Sequence, residues 1–170
     1  MKLFAKRTVA QQLNAIKNRT AYRPKSIRRL MFIHDTDLNL TEAQFDDMCR
    51  FFSSELSTIE RIHYNIDKKM LEGVAKPHLH PQSLDWRGRL TSGDLHYTTT
   101  QEYDLVVHFV DQITLPLVSF SAHLNASFRI GPSSLDIRLN DLALPPTTDF
   151  GEFLSNVKLY FKKIHPNERT

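Results

Sequence analysis

Glycine is scarce in this chain. There are five in 170 residues, at Gly73, Gly88, Gly93, Gly131 and Gly151, and none cluster. A phosphate cradle needs clustered glycines so that backbone N–H groups can approach the anion. Neither G-x-G-x-x-G nor a Walker-type loop occurs, which argues against a dinucleotide-dependent oxidoreductase. G-x-S-x-G is missing as well, and with it the nucleophile elbow of an α/β-hydrolase. The single cysteine, Cys49, cannot close an internal disulfide. On the apolar face of a predicted helix it reads as packing rather than as a reactive thiol. No window approaches ~18 uninterrupted apolar residues, so no membrane-spanning helix is expected. The basic N-terminus is not followed by an apolar region with a small-residue cleavage site, so a secretory leader is not expected either. These absences fit a cytoplasmic protein.

Acidic residues are missing from one whole stretch. Before Asp35 there is none, whereas Lys2, Lys6, Arg7, Lys17, Arg19, Arg23, Lys25, Arg28 and Arg29 supply nine positive charges. The remainder carries thirteen basic against nineteen acidic residues, a net of −6. A basic arm on an acidic globule is the pattern to explain.

What is present gives a fold class. Leu105 to Val110 is a nearly unbroken apolar run, as in a strand buried on both faces. Ile113 to Asn125 carries Ile113, Leu117, Phe120 and Leu124 at helical spacing, and Ala126 to Gly131 forms a second strand before Pro132. Strand, helix and strand in about thirty residues make a βαβ unit with a right-handed crossover. Further strands are expected at Arg29 to His34, Ile59 to Ile66, Leu84 to Trp86 and near Asp136 to Leu144. Pro77 to Pro81 is expected as a loop. Thr41 to Gln44 matches a capping box before the stripe Phe45, Met48, Cys49, Phe52 and Leu56. Asp149 caps a final helix whose face is Phe150, Phe153, Leu154, Val157, Phe161 and Ile164. The expected architecture is α/β: a three-layer Rossmann-like sandwich with a mostly parallel sheet and a basic N-terminal helical extension. Residues 1–26 form the arm, a helix over Thr8 to Arg19 with Thr8 as a possible cap. Its apolar face is too thin to join a core. Residues 27–170 form a single α/β domain.

The segments Leu84-Asp85-Trp86-Arg87-Gly88, Tyr103-Asp104-Leu105-Val106 and Phe128-Arg129-Ile130-Gly131 stand out. Together with the basic N-terminal helix and the C-terminal amphipathic helix, they resemble a family of small, uncharacterised bacterial proteins, a domain of unknown function. That resemblance covers nearly the whole chain and implies no activity. The Asp104 to Val107 strand, its helix and Ala126 to Gly131 are also similar to the N-terminal half of heptosyltransferase-type glycosyltransferases. This similarity covers about thirty residues and implies the fold. Those enzymes need a second domain to hold the nucleotide sugar.

Two function classes follow. The first is a non-enzymatic binding module, in which the nine cations of the arm neutralise the phosphates of RNA or a ribonucleoprotein and Tyr22 stacks on a base. The globule would then contact a protein partner. The same charges are also compatible with a helix that docks on the protein's own acidic surface, a protein partner or a membrane surface. The second class is a small enzyme or ligand-binding protein. It would use the crevice outside the carboxyl ends of the strands, around Asp35, Asp37, Asp85, Trp86 and Arg87. Strand-end loops are rich in aspartate for turns in any case, and a Trp beside an Arg stacks on a base or anchors a core edge. His78 and His80 read as loop residues and His108 as a hydrogen-bonded core histidine. No metal and no cofactor is expected. Partner identity and oligomeric state are not legible in the residues.

Overall fold

The structure is a computed structural model and describes residues 2–52 and 55–164. Six strands form one sheet: β1 (Arg29–Asp35), β2 (Thr58–Tyr64), β3 (His78–Leu79), β4 (Glu102–Phe109), β5 (Asn125–Pro132) and β6 (Leu142–Leu144). Their order is β3-β2-β1-β4-β5-β6, and every neighbouring pair is parallel. This is a doubly wound Rossmann-like sheet, whose connection reverses between β1 and β4. Five helices cover it: α1 (Lys2–Ile16), α2 (Glu42–Phe52), α3 (Gly93–Thr99), α4 (Leu115–His123) and α5 (Phe150–Phe161).

Both faces of the central strands are apolar, and the two-residue period divides them. On β1, Leu30 and Phe32 pack with α2 and α5, while Met31 and Ile33 pack with α1, α3 and α4. The first face is rich in phenylalanine: the rings of Phe109 and Phe150 lie 5.1 Å apart and cross at 82°. The capping box before α2 is formed, with Gln44 N–H donating to Thr41 Oγ1 and Thr41 N–H to Gln44 Oε1. Asp149 caps α5 through Glu152 N–H.

The second face holds polar groups as well, each with a structural use. His108 is fully buried, its Nε2 2.9 Å from Ser121 Oγ on α4. Arg129 on β5 donates to the carbonyls of Ser121 and Leu124, which close the C-terminus of α4. Gly131 has no room for a side chain, because a Cβ there would stand 2.6 Å from Asn140 Oδ1 and 3.2 Å from His108 Cβ. The Phe-Arg-Ile-Gly segment is thus a packing joint between β4, β5 and α4.

Several expectations need correcting. The third strand is His78–Leu79, inside the stretch expected as a loop, whereas Leu84 to Trp86 is not a sheet strand and makes only an antiparallel bridge to Leu90. The last strand is confined to Leu142–Leu144, since Ile137–Leu139 forms a 3-10 turn capped by Asp136. The N-terminal helix begins well before Thr8, which lies inside it and donates to Phe4 O. Its apolar face was not too thin: Ala5, Val9 and Leu13 are buried at i, i+4 and i+8 against α4. A narrow stripe suffices here because Val9 and Leu13 join the cluster under α4 while Ala5 lies against the Gly88 turn. The segment after α1 continues along the sheet. Tyr22 N–H donates to Ser127 O at 3.3 Å and its hydroxyl lies 2.6 Å from Ser127 Oγ, so residues 19–22 cover the part of β5 that β6 leaves unpaired. That is how an exposed edge is usually protected.

Candidate nucleic-acid interface

Of the nine cations ahead of Asp35, the eight whose side chains are described divide into two groups. Arg19 is ion-paired with Asp141 and also donates to Ala126 O. Arg23 donates to Ile164 O at 2.8 Å and lies 4.3 Å above the Phe161 ring; burial lowers its pKa. Arg29 reaches Gln101 Oε1 and lies 3.7 Å from Glu60. Arg19 and Arg23 hold the arm to the globule, whereas Arg29, the first residue of β1, is paired within the globule itself. Lys6, Arg7, Lys17, Lys25 and Arg28 have exposed side chains; the side chain of Lys2 is outside the described residues. Tyr22 is half-buried against Ser127.

At the head of α1 the exposed cations meet an unexpected neighbour. Leu84 to Leu90 folds into a tight turn, with Gly88 N–H donating to Asp85 O at 3.0 Å. Gly88 has φ +82°, and a Cβ there would lie 3.1 Å from Thr8 Cβ and 3.3 Å from Ala5 Cα. Only glycine suits both the backbone angle and the close approach, so the turn docks directly on α1. Asp85 serves the turn: it accepts from Arg87 N–H, Arg89 N–H and Arg89 Nε. The Arg89 backbone bond, followed by the other Arg89 and Arg87 contacts, holds its carboxyl below the usual range.

This turn carries Trp86 to the first helical turn of α1. Its ring meets Phe4 edge-on at 6.2 Å and 89°, and the Arg87 guanidinium lies 4.5 Å over it. Trp86 is 49% exposed and Phe4 61%. Beside Trp86 is a hollow of about 430 Å³ whose lining includes Ala5, Lys6, Leu84, Leu115 and Pro116. An exposed aromatic pair with a stacked guanidinium and a neighbouring Lys6 suits a π-face carrying negative charge. Phe4 was legible as an apolar residue but not as part of this cluster. The available signal is its phase, one position off the Ala5, Val9, Leu13 row, which turns it away from α4.

The crevice candidates do not all converge. Asp35 and Asp37 lie together at the end of β1, with Asp37 N–H donating to Asp35 Oδ1 and Asn65 Nδ2 to Asp37 Oδ1. The Tyr64 hydroxyl crosses to Gln112 O at 2.8 Å and meets Thr114 Oγ1, so the mouth between β1 and β4 is closed by the protein's own groups. Burial raises the Asp35 pKa, and Asp37 and Asp111 add to it, while backbone N–H groups of Asp37 and Gln112 oppose the rise. Carboxylates therefore stand where a Rossmann domain places a pyrophosphate, and they repel an anion there. Asp85, Trp86 and Arg87 join α1 instead, and the hollows that Asp85 lines include neither Asp35 nor Asp37.

The histidines take structural positions. His78 Nε2 lies 2.7 Å from Val74 O, and His80 caps the 3-10 turn Pro81–Ser83. Among the described residues, no group of three or more His, Cys, Asp or Glu is arranged to hold a metal ion. His34, expected at the carboxyl end of the first strand, is instead enclosed. It is buried on β1, stacked on Phe32 at 5.3 Å and 4.9 Å from the His63 ring, and neither ring nitrogen has a hydrogen-bond partner. Burial, then His63 and Arg61, push its pKa down to about 3, with the nearby Asp35 backbone opposing in part.

With this arrangement in view, a family model described as a family of unknown function, DUF6913, matches residues 2–164. The chain belongs to that family. No curated protein and no solved structure matches it. The span matched to DUF6913 runs from α1 through α5 and contains the Trp86 turn together with the helix it docks on. Among the described residues no helix is long and apolar enough to cross a membrane.

Proposed function

We propose that this chain is a non-enzymatic binding protein of the cytoplasm that contacts single-stranded RNA, free or in a ribonucleoprotein, through the head of α1 and the Trp86 turn, with the globule contacting a protein partner. The observation that carries this reading is the exposed Phe4, Trp86 and Arg87 cluster beside Lys6 and Arg7. Aromatic side chains stack on any base, and cations around them track the backbone without reading its sequence. The arm is thereby narrowed: Arg19 and Arg23 position it and Arg29 is spent inside the globule, while Lys6, Arg7 and Arg87 meet the phosphates. The closed, carboxylate-lined mouth at β1 and β4 weighs against the alternative, a small enzyme using that crevice.

Because Ala5, Val9 and Leu13 of α1 are buried, deleting the arm would strip part of the core, and substitutions are the proper test. Binding of a fluorescent single-stranded RNA is measured at low and high salt for the full chain, Trp86→Ala and Arg87→Glu. The full chain should bind at low salt and lose affinity steeply as salt rises. Loss of one stacking contact should weaken binding by about tenfold, as base–aromatic stacking is worth ~1–3 kcal/mol. Equal affinity of Trp86→Ala and the unsubstituted chain, with both folded, would end the proposal.

A further inference from the structure

The two edges of the sheet are treated differently. Where β6 leaves β5 unpaired, residues 19–22 cover it. On the other edge β3 is two residues long and pairs only with His63 and Tyr64. Among the described residues no strand lies on the outer side of Thr58 to Ile62, away from β1. In a parallel ladder, alternate residues direct their N–H and C=O groups to opposite sides. His63 N–H donates outward to Pro77 O and Asn65 N–H to Leu79 O, so the main-chain groups of Ile59 and Arg61 point the same way. An exposed row of this kind is a template for strand pairing.

The edge opens into a groove of about 770 Å³ whose lining includes Ile59, Glu60, Arg61, Lys76, Asp94 and Tyr97. Its two sides differ in chemistry. On the α3 side stand the 68%-exposed Tyr97 ring and the Asp94 carboxylate, with Glu60 behind them already 3.7 Å from Arg29 and accepting from the Tyr103 hydroxyl. On the α2 side Ile59 is exposed, and Arg61 is neutralised by Glu42 and stacked 4.2 Å over Phe45. Successive side chains of an added strand would alternate between these sides. Those facing α3 meet the Asp94 carboxylate and the Tyr97 ring, which suits a cation. Those facing Ile59 suit an apolar residue.

A second copy of the chain fits poorly. Two-fold pairing that joins the outward groups sets Glu60 opposite Glu60 or Arg61 opposite Arg61, which crowds two identical ion pairs, Glu60 with Arg29 or Arg61 with Glu42, against each other. A third register, centred on Ile59, is cut short because Ser57 is already bonded to Arg28 O.

We propose that Thr58 to Ile62 is a strand-addition site for an extended segment of a partner protein whose side chains alternate apolar and basic. This names the protein-contacting face in the reading above and rests on the globule having one. The recognition is main-chain pairing for affinity and alternate pockets for specificity.

The test uses the full chain and a labelled probe with the core Val-Lys-Val-Lys-Val, which at about 3.3 Å per residue spans the bare stretch. The same peptide N-methylated at alternate amides serves as a partner that cannot pair. Binding is followed by fluorescence anisotropy, and amide hydrogen exchange locates it. The expected result is slowed exchange at Ile59 and Arg61 and at least about tenfold weaker binding of the methylated probe, since paired strands depend on those bonds. Asp94→Lys, an exposed substitution, should weaken the plain probe at low salt. Failure of the plain probe to bind, equal binding of the methylated probe, or protection elsewhere would each overturn the proposal. So would a dimer that the probe dissociates, because it would assign the edge to a second copy. Asp94→Lys is also measured against the fluorescent RNA. Unchanged RNA affinity keeps the outcome of this test separate from the fate of the RNA reading.

Discussion

Substitution of His34 by leucine should stabilise this protein, increasingly so in acid. Its imidazole is 5% exposed, lies against Phe32 and His63, and has no partner for either nitrogen. Replacing it by an apolar side chain of similar size loses no hydrogen bond and removes a desolvated polar group, a gain of about 1–3 kcal/mol. The pH dependence is the sharper part. The folded pKa is pushed down to about 3 from an ordinary 6.5. Between those values the unfolded chain binds a proton that the folded chain refuses, so the contribution is fully present above pH 6.5. It is lost progressively as pH falls toward 3. At pH 5 the unfolded state gains about 2 kcal/mol from protonating this one group, against almost nothing at pH 7. The leucine variant should therefore outdo the unsubstituted chain by about 2 kcal/mol more at pH 5 than at pH 7. His108, also held near 3 by burial and then by Arg129, is present in both proteins and cancels. Urea unfolding at the two pH values measures the difference. A stability gap that does not widen between pH 7 and pH 5 would refute the claim that His34 is buried in its neutral form.

Two further substitutions probe the frame. Gly131→Ala forces a Cβ to within 2.6 Å of Asn140 Oδ1, and should cost about 1–3 kcal/mol as an overpacked site, read as a lowered thermal midpoint. Leu13→Ala should lose about 2–5 kcal/mol, the cost of an emptied core position, because Leu13 is buried against α4. A loss below about 0.5 kcal/mol, the size of a surface effect, would mean that α1 is a tether after all.

The central βαβ unit, the capping box before α2, the Asp149 cap of α5 and the parallel α/β class were legible because each is a local pattern. A β-branched run, an apolar residue every third or fourth place and a side chain three residues from a backbone N–H act within a dozen residues. The roles of Arg129 and Gly131 were not legible, since each depends on atoms of another element: the carbonyls of α4 and the side chain of Asn140. The error over His78–Leu79 has the same cause. Two residues flanked by proline carry no periodicity, and they became a strand only because β2 was already there to pair with them.

The candidate site divides in the same way. The sequence by itself determined that positive charge is concentrated ahead of Asp35, that clustered glycines for a phosphate cradle are missing, and that a tryptophan stands beside an arginine. These are properties of composition and of neighbours along the chain. Only the tertiary structure decided which cations are held in the fold, that Trp86 stands beside Phe4 rather than Asp35, and which edge of the sheet is left bare. Those outcomes depend on where α1 lies, and α1 lies where it does because Ala5 and Gly88 are both small enough for the helix and the turn to touch. Close approach between residues some eighty positions apart is a fact of three dimensions.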